Sequence, residues 1–380
     1  MASSQDEDMA KSSPSKPGLP SRATSSLVIG AVSALSRAFL YGLNTVEVSG
    51  LQRFLDILDK RNDPEQRDRG LITVSNHISI LDDPLMWGVL PLQYAFNPSN
   101  HRWGLGAHDI CHKNNFLAKF FYFGQTLPTH RLQHSPHGGL FQPTISQAIR
   151  LLSSQPFVSS QPVSSISSRD SHPEVPDPFT TGGLTYTTTG TDSYEAPSAF
   201  TSRRHSWVHV FPEACVHQHP RLSLRYFKWG ISRMILEADP MPDVLPLFID
   251  GTQRVMPEDR QFPRFVPRAG ITFRMAFGEL LDTEKTFGDL RARWRDLVRR
   301  ENRTLAMGEL TDELKYGEEA VEIRVEVARR VREEVLRVRR SMGYPDEDPP
   351  DFGLAETWAR EPAKHEFKSN VDDSLVNKKE

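Results

Sequence analysis

The sequence has few cysteines and no surplus of charge of either sign. Its 380 residues include only two cysteines, Cys111 and Cys215, and its formal net charge is -3 with a pI near 6.5. Two cysteines exclude a disulfide framework, and their separation does not fit a metal-binding pair. A chain without a basic surplus is not typical of nucleic-acid-binding proteins. We therefore expect free thiols and no nucleic-acid partner.

Long apolar runs are also missing. No stretch reaches the roughly 18 to 20 uninterrupted apolar residues of a membrane-spanning helix. The nearest candidate, residues 27–43, contains Ser33, Ser36 and Arg37, and an arginine at mid-bilayer costs at least about 2.5 kcal/mol. The wide apolar face of this segment favours a helix that lies on, or dips into, a membrane surface. The alternative is an ordinary helix that packs against the core.

Several common motifs for cofactors and catalysis do not occur. The sequence has no Gly-Lys-Ser/Thr and no Gly-x-Ser-x-Gly, and the glycines at 104 and 106 lack the third glycine of a dinucleotide-binding loop. Two pairs of histidines have regular spacing. His108 and His112 are spaced for one face of a helix, and His217 and His219 are spaced for one face of a strand. Neither pair has the cysteines or carboxylates of a typical zinc site. We expect no cofactor and no metal.

Composition indicates one domain, residues 26–345, and three segments in which little regular secondary structure is expected, one of them inside the domain. Residues 1–25 are rich in Ser, Pro and Lys and are predicted to be disordered, and their acidic residues are untypical of a mitochondrial presequence. Residues 153–206, dominated by Ser, Thr, Pro and Gly, are predicted to be a disordered insertion within the domain. Residues 346–380 are predicted to be a flexible tail.

Short apolar runs alternate with helical patterns, which indicates an α/β domain with a mixed central sheet flanked by helices. The expected strands are 45–48, 71–75, 124–131, 207–211, 244–249 and 271–275. The expected helices are 51–59, 84–90, 114–123, 144–152 and 224–237, followed by C-terminal helices at 289–300 and 311–340 within residues 289–340.

The most informative block of the sequence runs from Asn76 to Pro84. His77 follows a predicted buried strand, and Asp82 precedes a predicted helix start in which Asp83 would act as the cap before Pro84. On a continuous helix His77 and Asp82 would lie about 140° apart, so they face each other only across a turn. A carboxylate on one imidazole nitrogen makes the other nitrogen a general base. The alternative is that both residues only terminate their elements.

Two further strand ends point to the same edge of the sheet. The segment Trp207 to Glu213 ends in Phe211-Pro212-Glu213, and the segment before Arg131 reads as a strand. Strand ends are where α/β sheets place ligand sites, and arginine can bind phosphate in a bidentate, charge-assisted manner. The alternatives are a surface ion pair for Arg131 and a structural role for Glu213.

Residues 222–238 mix apolar and basic side chains at helical spacing. This pattern is typical of an interfacial helix, and it predicts membrane contacts for Leu224, Phe227, Trp229, Ile231 and Ile235. The alternative is a helix that covers the sheet.

Four elements of this sequence, taken in order, resemble the four motifs of the glycerophospholipid acyltransferase superfamily. They are His77-x4-Asp82, Arg131, Phe211-Pro212-Glu213 and residues 244–247. The resemblance covers about residues 33–277. One departure is Ala214, because this superfamily usually has glycine after Phe-Pro-Glu. If that position needs a positive φ, alanine costs roughly 1 kcal/mol.

Within the superfamily, the elements around Asp82-Asp83-Pro84 and Lys228-Trp229-Gly230 are similar to those of enzymes that remodel cardiolipin in mitochondria. The resemblance implies a CoA-independent phospholipid–lysophospholipid transacylase, with cardiolipin and phosphatidylcholine as lipid partners. It implies His77 and Asp82 as catalytic residues, and Arg131, Phe211, Pro212 and Glu213 as substrate-binding residues. It also implies a peripheral or monotopic location facing the intermembrane space, with possible membrane complexes. The alternatives are an acyl-CoA-dependent acyltransferase and a scaffold without activity.

Overall fold

A computed structural model describes residues 19–154, 185–195, 197, 204–301, 305, 309–345, 349–359, 361, 368–372 and 374–376. Its strands are β1 Thr45–Ser49, β2 Leu71–Val74, β3 Trp103–Ala107, β4 Thr126–Thr129, β5 Thr185–Tyr186, β6 Tyr194–Glu195, β7 Trp207–Val210, β8 His217–Gln218, β9 Asp243–Asp250, β10 Thr272–Phe277 and β11 Leu375–Val376.

The α-helices in the described part of the chain are α1 Leu19–Leu43, α2 Leu51–Lys60, α3 Asp82–Trp87, α4 Leu92–Ala95, α5 His108–Cys111, α6 Asn115–Phe123, α7 Pro143–Leu152, α8 Gly230–Glu237, α9 Thr252–Val255, α10 Thr283–Arg300, α11 Asp312–Tyr316, α12 Glu318–Ser341 and α13 Ala355–Trp358. Short 3-10 turns occur at Pro64–Gln66, Pro98–Asn100 and Pro350–Gly353.

The seven strands of the central sheet lie in the order β1-β10-β9-β2-β7-β3-β4. All neighbours are parallel except β9 and β10, which are antiparallel. The predicted α/β class and mixed sheet are therefore confirmed. Because β9, β2, β7, β3 and β4 are parallel, their carboxyl ends meet at one edge of the sheet. That edge receives His77 after β2, Arg131 after β4, Glu213 after β7 and Thr252 after β9.

The apolar strands are buried because helices cover both faces of the sheet. Every residue of β2 and β7 is buried. At the centre of one layer, Phe54 stacks on Phe277 at 4.8 Å between ring centroids and meets Trp207 edge-on at 5.3 Å. Helices α7, α8, α10 and α12 pack together, and α12 also lies against β9. The core thus holds β2 and β7 rigidly where the candidate site begins.

Helix α1 is longer than the predicted segment, since it begins at Leu19. Residues 22–43 are long and apolar enough to cross a membrane, and 28% of their apolar window is buried. One face packs on α3, α4 and α6, while Leu27, Leu35 and Tyr41 are exposed. Arg37 donates to the carbonyl oxygens of residues 88–90 at 3.1–3.4 Å. The polar residues that interrupt the apolar run therefore face the protein, as Ser33 and Ser36 are also buried.

Four predicted segments differ from the structure. Residues 224–229 precede helix α8 instead of forming part of it, and the predicted helix 311–340 is divided at Gly317.

The insertion 153–206 contains the β5–β6 hairpin, and β6 is attached to α6 by the hydrogen bond from Tyr122 to Glu195. The tail 346–380 contains α13 and β11, and β11 pairs with β8. Polar composition alone does not register such tertiary contacts. Of the N-terminal 25 residues, 1–18 lie outside the described residues and 19–25 are helical.

Candidate active site

His77 and Asp82 lie together across the turn between β2 and α3. The imidazole Nδ1 and the carboxylate Oδ2 are 2.8 Å apart. Asp82 is fully buried, whereas the His77 side chain keeps 22% of its surface exposed. Among the described residues, none forms a hydrogen bond with His77 Nε2. The predicted proximity of these two residues is confirmed, and the accessible nitrogen is the one that can exchange a proton with a ligand.

Three further bonds hold the Asp82 carboxylate. Oδ2 accepts the backbone N–H groups of Ile78 at 2.6 Å and Ser79 at 2.8 Å, which closes the turn. Oδ1 accepts the hydroxyl of Thr252 at 2.5 Å. Thr252 begins α9 directly after β9, so the neighbouring strand fixes the orientation of Asp82. The sequence analysis missed Thr252, although its place just after a buried strand could have indicated it.

The backbone of His77 is held on both sides by the segment after β7. Its N–H donates to Glu213 Oε1 at 2.9 Å, and its carbonyl oxygen accepts the N–H of His217 at 2.8 Å. Before it, the Asn76 side chain exchanges two 2.9 Å hydrogen bonds with the backbone of Ile249. These bonds join the end of β2 to both neighbouring strands and leave His77 little freedom to shift.

Aromatic packing fixes the imidazole ring as well. Phe211 stacks on His77 with 4.4 Å between centroids and an interplanar angle of 24°. His209 contacts Phe211 edge-on at 4.5 Å, and its Nδ1 lies 2.9 Å from the hydroxyl of Thr73. Burial lowers the pKa of His209 to about 3, so this ring is neutral near pH 7. His209 therefore packs against Phe211 as an uncharged ring and supports the site from behind, a role that the sequence did not indicate.

The structure corrects the expected substrate contacts of Pro212 and Glu213. Both residues are buried. The second carboxylate oxygen of Glu213 accepts the backbone N–H of Arg225 at 2.9 Å, and Pro212 accepts the N–H of Lys228 at 2.8 Å. Glu213 thus positions two backbone segments, which agrees better with the alternative of a structural role for this residue. Of Phe211, Pro212 and Glu213, only Phe211 is partly exposed, and it stacks on His77.

Ala214, next to Glu213 and at the position where the superfamily usually has glycine, has a left-handed backbone conformation. Its φ is +56°. Left-handed backbone costs a non-glycine residue about 1 kcal/mol or more, so Ala214 introduces strain directly beside the residue that positions His77.

Arg131 makes an ion pair instead of presenting a free guanidinium. Its Nε donates to Asp109 Oδ1 at 3.0 Å, and its Nη2 donates to Oδ2. Both residues line an open pocket of about 250 Å³ together with His108, His130, His134, Ser135 and Thr189. Arg131 lies at the carboxyl end of β4, three strands away from β2. The structure therefore places it on the same sheet edge as His77 but not in contact with it.

Asp83 does not cap α3 as expected. Its carboxylate pairs with Arg102 and accepts the indole N–H of Trp87 at 3.2 Å. Leu81 precedes the helix, and no side chain caps it. Asp82 does not take over this role, because its carboxylate accepts the N–H groups of Ile78 and Ser79, which lie before the helix.

The membrane contacts predicted in residues 222–238 are wrong for four of the five side chains. Leu224, Phe227, Ile231 and Ile235 are at most 2% exposed and belong to the core, and Trp229 is half-buried against it. The amphipathic pattern was real, but its apolar side belongs to the buried core, and α8 packs on α7, α10 and α12. This agrees with the alternative of a helix that packs within the protein.

The C-terminal tail contacts the segment that holds His77. Asp372 Oδ2 lies 2.8 Å from His217 Nε2, and Glu213 Oε2 lies 3.5 Å from Nδ1. Burial opposes protonation of His217, but the two carboxylates more than offset it and raise its pKa above the ordinary 6.5. Trp358 packs edge-on against the same ring at 5.3 Å. The tail, predicted to be flexible, thus encloses the buried ring of His217 next to Glu213.

Within the part of the chain that the structure describes, one group of side chains could hold a metal ion by position. Ligand atoms of His108, His130 and Asp192 lie within 4.8 Å of one another. However, His108 Nε2 is 2.7 Å from the Tyr194 hydroxyl, and His130 Nε2 is 2.7 Å from that of Thr188. Asp192 accepts hydrogen bonds from its own turn. The sequence analysis missed this grouping because Asp192 comes from the insertion.

Comparison with known proteins places this site in a family. Residues 56–250 match the acyltransferase family model. Tafazzin of Saccharomyces cerevisiae is 34% identical over 90% of this chain and 83% of its own length. Taffazin of Dictyostelium discoideum is 29% identical over 63% of this chain and 64% of its own. The N-acylphosphatidylethanolamine synthase of Arabidopsis thaliana is 27% identical over 67% and 69%. The chain is an acyltransferase and belongs to the tafazzin family.

Proposed function

We propose that the chain is a CoA-independent phospholipid–lysophospholipid transacylase that remodels cardiolipin, with His77 as its general base. The observation that carries the proposal is the 2.8 Å contact between His77 Nδ1 and a fully buried Asp82, which leaves Nε2 accessible. Membership of the tafazzin family supports the lipid class, and the mixed sheet brings the necessary residues to one edge. We propose that the reaction requires no cofactor.

The reaction needs one proton transfer in each direction. His77 Nε2 removes the proton from a lysolipid hydroxyl, and Asp82 stabilises the imidazolium that forms. The resulting alkoxide attacks the carbonyl carbon of an acyl ester in the donor phospholipid. When the tetrahedral intermediate collapses, the donor's glycerol oxygen leaves and takes the proton back from His77. One ester bond forms and one breaks, so the exchange requires no thioester.

Glu213 and Phe211 are proposed to serve this reaction by keeping His77 in place. Hydrogen bonds to the His77 backbone and a stacked ring limit the motion of the imidazole. A displacement of about 1 Å can cost roughly 100-fold in rate. Accurate placement of His77 is therefore as important as its chemistry.

Arg131 is proposed to bind a lipid phosphate remote from the reacting hydroxyl. Three strand spacings of about 4.8 Å separate β4 from β2, or roughly 14 Å. A lipid with two phosphates can offer one near His77 and a second near Arg131, where the phosphate would compete with Asp109. Arg131→Gln should raise the KM for a lysocardiolipin acceptor more than that for lysophosphatidylcholine. Equal changes for both acceptors would contradict this role.

The proposed location is on mitochondrial membranes facing the intermembrane space, with peripheral or monotopic attachment. Family membership and the apolar helix α1 support membrane association. Fractionation followed by carbonate extraction and protease protection of each membrane would test the location.

The decisive assay uses purified protein in liposomes that contain lysocardiolipin and acyl-labelled phosphatidylcholine, without CoA. We expect wild type to transfer label to cardiolipin and His77→Ala to lose this activity. His137→Ala is a matched control, because His137 is an exposed histidine outside the pair, and it should retain full activity. Transfer only after addition of acyl-CoA would favour the CoA-dependent alternative. Equal transfer by wild type and His77→Ala would refute the mechanism.

A further inference from the structure

Residues 256–267 form a loop attached to the catalytic turn. The N–H of Arg268 donates to the carbonyl oxygen of Val255 at 2.9 Å and closes the base of this loop. The side-chain amide of Gln218 donates to Ile78 at 2.8 Å and to Met256 at 3.1 Å. Because Ile78 directly follows His77, the same amide joins the first residue of the loop to the turn that carries the catalytic pair.

Three apolar side chains at the tip of the loop point into solvent, whereas Met256 at its base is buried. Phe262 is 89% exposed, Phe265 77% and Val266 49%. Inside the loop, the Arg260 guanidinium donates to the carbonyl oxygens of Pro257 at 2.7 Å and Arg264 at 2.5 Å.

Arg264 in turn donates to the carbonyl oxygens of Arg260 at 3.2 Å and Glu258 at 3.0 Å. These bonds satisfy the backbone from within, so the two rings are held outward by a defined structure. Exposed apolar clusters of this kind are typical of interaction sites.

The other end of the loop is attached to helix α1. The N–H of Gly270 donates to the carbonyl oxygen of Leu43 at 2.9 Å, and the N–H of Ile271 donates to Asn44 Oδ1 at 3.0 Å. Leu43 ends the helix that exposes apolar side chains and is long enough to cross a membrane. The loop therefore connects the catalytic turn with the apolar helix.

Charge favours a lipid surface as the occupant of this loop. Within residues 256–267 two arginines balance one glutamate and one aspartate, and Arg254 and Arg268 at the base of the loop bring residues 254–268 to a net charge of +2. Aromatic rings are favoured at the headgroup level of membranes, and nearby arginines are attracted to anionic lipids.

We propose that residues 256–267 dock on an anionic bilayer, with Phe262 and Phe265 inserted at its interface. Docking there would present the accessible side of His77 to lipids that have not left the membrane. The proposal concerns binding and not turnover, so its failure is distinguishable from failure of the proposed reaction.

The first test is flotation with vesicles of phosphatidylcholine, alone or mixed with phosphatidylglycerol. Wild type is compared with the double variant Phe262→Ser/Phe265→Ser and with Tyr316→Ser, which removes a ring that is 67% exposed elsewhere. Each lost ring should weaken partitioning roughly tenfold, and Tyr316→Ser should bind as wild type does. Unchanged partitioning of the double variant, or an equal loss in Tyr316→Ser, would overturn the proposal.

A second test detects insertion directly. Phe265→Trp places a fluorophore at the tip of the loop, and we expect brominated phospholipids to quench it more than they quench wild type. Arg268→Gln should reduce the preference for phosphatidylglycerol vesicles while leaving partitioning to phosphatidylcholine intact. Absence of additional quenching in Phe265→Trp would show that the loop does not enter the bilayer, even where vesicle binding persists through α1.

Discussion

Replacing Glu213 by glutamine tests whether this carboxylate positions His77 or binds lipid. The side chain is 2% exposed and accepts the backbone N–H groups of His77 and Arg225, each at 2.9 Å. Glutamine preserves its shape but turns one accepting oxygen into an NH2 group. That donor then faces a backbone donor in the core, and His217 loses one of its two carboxylate neighbours.

The structure sets the size of the effect. A hydrogen bond to a charged acceptor contributes about 1.5–3 kcal/mol, and an unpaired buried N–H costs about 1–3 kcal/mol. We therefore expect Glu213→Gln to lower the free energy of unfolding by about 2–4 kcal/mol. Displacement of the His77 backbone should lower kcat roughly 10- to 100-fold. KM should change little, because Glu213 does not face the accessible side of the site.

Thermal unfolding and the CoA-free transfer assay measure the two effects in parallel. Glu279→Gln is a suitable control, because this glutamate is 82% exposed and pairs with Arg53 at the surface, where ion pairs contribute little. A Glu213→Gln enzyme with wild-type stability and kcat but a raised KM would refute the positioning role. That result would instead restore the substrate contact expected from the sequence.

Three other changes test the surroundings of the pair. Ala214→Gly should raise the free energy of unfolding by roughly 1 kcal/mol in denaturant titrations, because it relieves a φ of +56°; no gain would mean that the strain is absent. Thr252→Val leaves Asp82 Oδ1 without its hydroxyl donor, and it should cost about 1–3 kcal/mol and reduce kcat; Thr252→Ser should restore both. The raised pKa of His217 means that its ion pair with Asp372 stabilises the tail below pH 6.5 and weakens as pH rises through the folded pKa. Limited proteolysis of the tail should therefore accelerate at alkaline pH, and Asp372→Asn should remove that pH dependence; an identical profile in both proteins would contradict the ion pair.

Local pattern was sufficient to predict much of the fold. Runs such as Leu71–Val74 and Trp207–Val210 are short, apolar and bounded by polar residues, so their strand conformation follows from the residues themselves. The turn between His77 and Asp82 was also predictable, because Asp-Asp-Pro starts a helix and only a turn lets the two side chains meet. The departure from glycine at residue 214 was visible in the sequence, whereas its positive φ is seen only in the structure.

Other features depended on which elements meet in space. Thr252 reaches Asp82 across 170 residues because β9 lies beside β2 in the sheet. The spacing of Leu224 to Ile235 showed an apolar face but not whether lipid or protein covers it. In the same way, Arg131 was recognisable as a strand-end arginine, but its pairing with Asp109 depends on β3 lying beside β4. The sequence thus determined local conformation and the residue types of the site, whereas the order of the strands decided which of those residues face a substrate and which hold the others in place.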